Sequence, residues 1–244
     1  MKALILAAGY ATRLYPLTKE YPKPLLEVKD RPIIDYIVDK LNSVPAIDEI
    51  YIVTNSKFIS FFRRWVKSVK SFKKITLVND LTKNNQDRLG AIGDINFVIK
   101  NKKIRKDLLV VGGDNLFNGS LRGFLDSAKK NFRSVNIGLY RLKQRKDASR
   151  YGVVKLNKQN EVTSFQEKPK HPQSCLVAMC LYFIPKSLLG LTKEYAQDKN
   201  KQVDATGGYI AWLKDRMGVY GYIFKGSWFD IGDYKYLNAA KEIF

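Results

Sequence analysis

Apolar residues change period repeatedly along the first half of the chain. Ala3–Ala8 is an unbroken apolar run, as a strand buried on both faces requires. Between Pro32 and Leu41, Ile33, Ile34, Ile37, Val38 and Leu41 share one side of a helix that opens on proline. Glu49–Thr54 reads as the next strand. Phe58, Phe61, Phe62, Trp65 and Val69 give the apolar face of a helix over Phe58–Val69. Ile75–Val78 and Leu108–Val111 read as strands, with a helix from Gly90 to Lys100 between them. Strands alternating with helices predict an α/β fold: a Rossmann-like, doubly wound, mostly parallel central sheet with helices on both faces.

The second half is richer in strands. Val135–Leu142, Val153–Leu156, Val162–Phe165 and Val177–Ile184 follow one another, then helices over Pro185–Tyr195 and Ala205–Leu213. Strands at Val219–Phe224 and Trp228–Ile231 precede a closing helix from Tyr234, for which Asp233 is the best-placed N-cap. The pattern predicts a β-rich substrate-side extension of the same sheet. No linker or repeat divides residues 1–244, so one domain is expected, with halves of about 1–115 and 116–244.

Composition narrows the chemistry. The 244 residues carry 43 Lys+Arg against 23 Asp+Glu, a formal net charge of +20. Most of the cations are scattered lysines, as a solvated surface needs, with steering of anionic ligands the functional reading. The single histidine, His171, sits in a Lys-His-Pro turn and excludes His-based metal or acid–base chemistry. Two cysteines, Cys175 and Cys180, make no disulfide framework and fit a reducing cytoplasm. The apolar start is too short for a secretory h-region and runs into a charged loop, and nothing long enough to span a membrane follows.

The most informative segment is Leu6-Ala7-Ala8-Gly9-Tyr10-Ala11-Thr12-Arg13-Leu14-Tyr15-Pro16-Leu17-Thr18, continuing to Pro22-Lys23-Pro24-Leu25. A strand ending in small residues lets backbone N–H groups cradle an anion. Arg13 adds a forked cation and Lys23 a compact one. Both the P-loop and the dinucleotide fingerprint are absent.

Taken whole, the segment resembles the sugar-1-phosphate nucleotidylyltransferases, whose signature reads L-A-A-G-x-G-T-R-L-x-P-x-T with P-K-x-L soon after. Gly112-Gly113-Asp114-Asn115, Arg150-Tyr151-Gly152-Val153-Val154, Phe165-Gln166-Glu167-Lys168-Pro169 and Trp228-Phe229-Asp230-Ile231-Gly232 continue the likeness in order. The resemblance implies the nucleotide-diphospho-sugar transferase fold. It also implies transfer of a nucleotidyl group, dTTP or UTP first, to a sugar 1-phosphate, glucose 1-phosphate first, with Mg2+ as cofactor.

By the same resemblance, Ala8, Gly9, Tyr10, Ala11 and Thr12 hold the nucleotide, Arg13 the departing phosphates and Lys23 the α-phosphate. Asp114 and Asp230 are the Mg2+ ligands. Glu167 binds sugar hydroxyls, Lys168 the incoming phosphate, and Asn115, Tyr151, Gly152 and Cys180 line the sugar-phosphate side. Asn85 or Gln86, ahead of Gly90, reads the base. Ala11 stands where the family has a second glycine, and Cys180 stands where a glycine is common. Cytidylyl or guanylyl transfer to phosphocholine or mannose 1-phosphate is the alternative within the family. The alternative of another class is a catalytically silent, basic nucleic-acid-binding or regulatory protein on the same fold, resting on the charge and on Lys57–Lys74. Nucleic acid and membrane are not expected partners, and homo-oligomerisation stays open.

The chemistry suits these residues. A phosphate monoester has its second pKa at about 6 and arrives ionised, so no general base is required. What remains is aligning two anions and neutralising the charge that builds between them.

Overall fold

The computed structural model describes residues 1–198, 201, 203–204 and 206–244. The first half runs β1 (Lys2–Leu6), a short hairpin of β2 (Glu27–Val28) and β3 (Arg31–Pro32), α1 (Ile33–Asn42), β4 (Glu49–Thr54), α2 (Ile59–Val66), β5 (Lys74–Asn79), α3 (Gly90–Asn101) and β6 (Leu108–Gly112). The second half runs β7 (Asn115–Phe117), α4 (Leu121–Lys130), β8 (Val135–Arg141), β9 (Gly152–Leu156), β10 (Val162–Glu167) and β11 (Leu176–Ile184). It closes with α5 (Gly190–Gln197), α6 (Thr206–Lys214), β12 (Val219–Phe224), β13 (Trp228–Asp230) and α7 (Tyr234–Ile243).

Strands β5, β4, β1 and β6 are parallel neighbours in that order. Their residues sort by parity. Ala3, Ile5, Ile50, Ile52, Leu109 and Val111 pack with α1, α2 and α4, whereas Leu4, Tyr51, Val53, Leu108 and Val110 pack with α3, α5 and α6. Burial on both faces is what the near-continuous apolar runs require. The α/β, doubly wound architecture is therefore the one expected.

β11 joins the parallel core to the β-rich half. Its last residues pair antiparallel with β6, and its first residues pair with β9. Along its other side it pairs with β8, which β12 joins in parallel. The register shifts between Ala178 and Tyr182, and Cys180 within that stretch has φ 52°. A β-bulge of this kind bends the strand and re-aims a side chain.

Some elements differ from expectation. The helix expected from Pro185 is a 3-10 turn at Lys186–Leu188 followed by α5. The helix expected from Ala205 runs Thr206–Lys214, and Ala205 itself lies outside the described residues. Helix α4 went unread although Ser120 caps it, accepting from Arg122 N, and Leu121, Phe124, Leu125 and Ala128 are buried at helical spacing. The two-stranded ribbon β7–β13 carries the site into the second half, pairing Asp230 with Asn115. Among the described residues no helix is long and apolar enough to cross a membrane.

Candidate active site

The loop after β1, the Pro22-Lys23-Pro24 segment and the turn after β6 meet at the carboxyl ends of the parallel strands, where open α/β sheets bind ligands. Gly113 makes the meeting possible. Its N–H donates to Leu6 O at 2.8 Å, and a Cβ there would sit 2.6 Å from that oxygen and 3.1 Å from Pro24. Leu6, Ala7, Gly9, Ala11, Lys23, Pro24 and Asp114 line a cleft of about 90 Å³.

Lys23 Nζ donates directly to Asp114 Oδ2, with side chains only 16% and 26% exposed. Asp230 comes from β13, and the Ile231 N–H donates to Asp114 O at 3.1 Å, locking the two segments together. The two carboxyl groups lie within hydrogen-bonding reach of each other. Burial and the Asp114 charge push Asp230 up to about 6, against the pull of Lys23 and Arg13. Burial opposes ionisation of Asp114 too, but Lys23 outweighs it and holds that carboxyl below its ordinary value. Asp233, not Asp230, caps α7, accepting from Tyr236 N at 3.1 Å.

This donor set fits Mg2+. Two facing carboxylates repel, and a divalent cation removes that repulsion. Mg2+ is satisfied by one or two carboxylates with phosphate oxygens and water. No cluster of three or more His, Cys, Asp or Glu occurs among the described residues, so the donor set for a tetrahedral zinc site is lacking.

The other expected residues fall in different places. Arg13 is exposed, and its guanidinium nitrogens lie 3.8–4.0 Å from where a Cβ on Gly232 would be. Gly9 faces open space, Thr12 is exposed, and Ala8 O accepts from Asn55 Nδ2 at 2.8 Å. The Tyr10 ring is buried against Phe58, so only its backbone is left to the cleft. Ala11 is left-handed at φ 48°, the conformation a glycine would hold without strain. Ala11→Gly is therefore expected to stabilise the protein by about 0.5–1 kcal/mol, the strain relief exceeding the entropy lost. Urea unfolding measures it, and an unchanged or lower midpoint would contradict the strain.

Asn115 is buried and fully used. Its Nδ2 donates to Met179 O and, at 3.2 Å, to Cys180 O, while its Oδ1 accepts from Trp228 Nε1 at 2.8 Å. It thereby holds the β11 bulge against β13. The bulge puts the Cys180 thiol near the aspartates, where burial and then Asp114 and Asp230 push it up to about 12. Tyr151 packs its ring 5.3 Å from Trp228. Glu167 sits between two glycines: a Cβ on Gly152 would lie 3.3 Å from Oε2, and one on Gly207 would overlap the carboxylate. Gly207 escaped the sequence reading, because its constraint comes from a side chain forty residues away. Lys168 is left-handed at φ 43°, and its Nζ lies 3.7 Å from Glu167 Oε1.

The base-reading candidates stand apart from this group. Asn85 and Gln86 lie in the loop between β5 and α3, and their side chains make no hydrogen bond among the described residues. Gly90 has φ 75°, and a Cβ there would meet Val203 O at 2.6 Å. Its glycine is explained by the 203–204 segment, whose carbonyls accept from Ala91 and Ile92 N–H.

That loop is tied to the site by a buried acid pair that sequence reading missed. Tyr10 OH and Thr82 Oγ1 lie 3.2 Å apart, and Thr82 N and Oγ1 both donate to Asp80 Oδ1 at 2.8 Å. Burial, then the Asp80 charge, raises Asp94 to about 8, and it keeps its proton toward Asp80. The native state therefore holds a proton that the unfolded chain releases near pH 4. Stability is greatest at the acid end of that window and falls by about 2–4 kcal/mol as pH rises to 8. Asp48 and Glu49, held at about 2 by their lysine partners, change stability only at lower pH. Urea midpoints of wild type should fall from pH 5 to 8, and those of Asp94→Asn should fall only up to about pH 6, where Asp230 ionises, and stay flat from there to 8. Parallel profiles would contradict the assignment.

Comparison with known proteins gives the family and the fold. The family model described as nucleotidyl transferase matches residues 2–243. The bifunctional protein GlmU of Methanococcus aeolicus is 26% identical, over 95% of this chain and 51% of its own length. Thus the chain spans about half the length of the first curated relatives it matches. A glucose-1-phosphate thymidylyltransferase of Neisseria meningitidis is 28% identical over 98% of this chain and 81% of its own. In fold, the chain is similar to UDP-glucose pyrophosphorylase solved with UDP-glucose, with TM-score 0.82, 20% identity and coverage of 99% and 97% of the two chains.

Proposed function

The chain belongs to the nucleotidyl transferase family, and from that premise we propose that it transfers a nucleotidyl group from a nucleoside triphosphate to a sugar 1-phosphate. The observation that carries the reading is the convergence of Lys23 and Asp114 with Asp230 and Arg13 at the loop after β1. Two anions have to approach each other here, and this site supplies fixed charge without any histidine.

The backbone of Ala8–Thr12 holds the triphosphate, and Arg13 takes the β- and γ-phosphates with its forked guanidinium. Lys23 stays protonated between Asp114 and Asp230 and bonds the α-phosphate oxygens. Asp114 and Asp230 hold Mg2+, which when bound neutralises phosphate charge as a Lewis acid. On the acceptor side, Glu167 takes sugar hydroxyls and Lys168 the incoming phosphate. An oxygen of that phosphate attacks the α-phosphorus in line. A new P–O bond forms as the bond to the β-phosphate oxygen breaks, and pyrophosphate leaves with that electron pair. The acceptor is already ionised near pH 7 and needs no base. Asn115 and Tyr151 act by holding the β11 bulge and Trp228 in place.

dTTP or UTP with glucose 1-phosphate is the favoured pair, in keeping with the substrates named for the Neisseria relative and the pyrophosphorylase. Cys180 narrows the sugar side relative to glycine, so Cys180→Gly is expected to broaden the set of sugars accepted. The free cysteines suit a reducing cytoplasm. A panel of nucleoside triphosphates against sugar 1-phosphates, scored by pyrophosphate release, tests the reading. Release with at least one pair and Mg2+ is expected, and silence with every pair would sink it.

A further inference from the structure

A cavity of about 650 Å³ opens between α3 and α5, away from the cleft just described. Its lining includes Ile104 and Arg105 just before β6, whereas Asp114 follows the other end of that strand. Four strand steps from Leu108 to Gly112 separate the two ends by about 13 Å. The volume lies within the ordinary range for small-molecule sites.

The lining is polarised. Ile99, Ile104 and Leu189 form an apolar floor, with Ile104 and Leu189 buried. Lys100, Arg105, Lys186 and Lys193 stand around it from four separate segments, and among the described residues no carboxylate lines the cavity. Some lysines elsewhere on this chain are paired, as Lys2, Lys57 and Lys106 are with Glu49, Glu20 and Asp48. These four side chains make no ion pair or hydrogen bond among the described residues. The Lys186 backbone N–H is tied to Asp107 Oδ1 at 2.8 Å, which fixes the rim. Four cations without an ion-pair partner among the described residues, around an apolar floor, match an anionic group on a ring-sized body.

We propose that this cavity binds an organic phosphate, with the phosphate held by Lys100, Arg105, Lys186 and Lys193 and the ring lying on Ile99, Ile104 and Leu189. It is a site separate from the one that joins the two substrates, and it does not depend on their identity. Gly190 gives a means of closing it. It lines the cavity, and a Cβ there meets nothing within 4 Å, so a large side chain at the rim has room without disturbing the packing.

Pyridoxal 5′-phosphate is the probe, because it carries a ring, a phosphate and an aldehyde. The aldehyde condenses with an unprotonated lysine amine, losing water, and borohydride then reduces the imine to a stable amine for peptide mapping. Lys100, Lys186 or Lys193 should be labelled about tenfold faster than the exposed Lys129 and Lys130, through the raised local concentration of the anion. UDP should protect at lower concentration than inorganic pyrophosphate, since only UDP carries a ring. Gly190→Phe should abolish the rapid labelling while leaving the circular dichroism spectrum and the slow labelling of Lys129 unchanged. Labelling of the cavity lysines no faster than Lys129, or undiminished in Gly190→Phe, would overturn the site. Equal protection by pyrophosphate and UDP would overturn the ring subsite.

Discussion

Replacing Asp114 or Asp230 by asparagine is expected to cut turnover about a thousandfold, about 4 kcal/mol of transition-state stabilisation, with the fold intact. Each change keeps the shape of the side chain and removes one of the two charges proposed to hold the metal. The backbone lock between Ile231 N and Asp114 O is untouched, as is the β7–β13 pairing. On the proposed reaction the lost charge would be felt where two phosphate groups meet in a partly buried cleft, so water would compensate poorly. Steady-state kinetics at saturating Mg2+, beside circular dichroism, make the measurement. Near-full activity in either variant would remove that aspartate from the metal site.

Lys23→Ala should lower kcat by about 100- to 1000-fold, as loss of a preorganised donor does. The same substitution leaves Asp114 and Asp230 facing each other without their cation. Removing one partner of a buried ion pair costs about 3–5 kcal/mol, and the residual exposure of both side chains reduces that to about 1–3 kcal/mol here. Arg13 gives a contrast. Its guanidinium is exposed and unpaired among the described residues, so Arg13→Ala should lose rate with no loss of stability. A Lys23→Ala variant with unchanged kcat, or an Arg13→Ala variant as destabilised as it, would contradict this division.

Local pattern carried most of the parallel core. Glu49–Thr54 is a strand with the bounds that its apolar run predicts, and α3 runs Gly90–Asn101 where helical spacing from Gly90 to Lys100 predicts it. Each of these elements buries a face that its own residues define. β13 falls where Trp228–Ile231 predicts a strand, whereas β7 has three residues and no period of its own and forms by pairing with β13, where Trp228 Nε1 also donates to Asn115 Oδ1. The chemistry divides in the same way. Arg13, Lys23, Asp114 and Asp230 are legible because they sit in contiguous motifs around turns. The Asp80–Asp94 pair is not, since fourteen residues separate two acids that read as surface charge until the loop folds over α3. Gly207 likewise has meaning only once Glu167 lies against it.

Charge shows the same limit. The net +20 marks no partner by itself. Only the fold separates Lys23, committed to Asp114, from the four unpaired cations between α3 and α5.

The central claim is that a sugar phosphate oxygen attacks the α-phosphorus of a nucleoside triphosphate and becomes the bridge between the two phosphorus atoms. A sugar 1-phosphate carrying 18O at its non-bridging phosphate oxygens tests it directly. In a single turnover followed by 31P NMR with the pair active in the panel, the account predicts all label on the sugar-side phosphorus of the sugar nucleotide, one labelled oxygen bridging to the α-phosphorus, and unlabelled pyrophosphate. Label in the pyrophosphate, or an unlabelled bridge between the two phosphorus atoms, would contradict it.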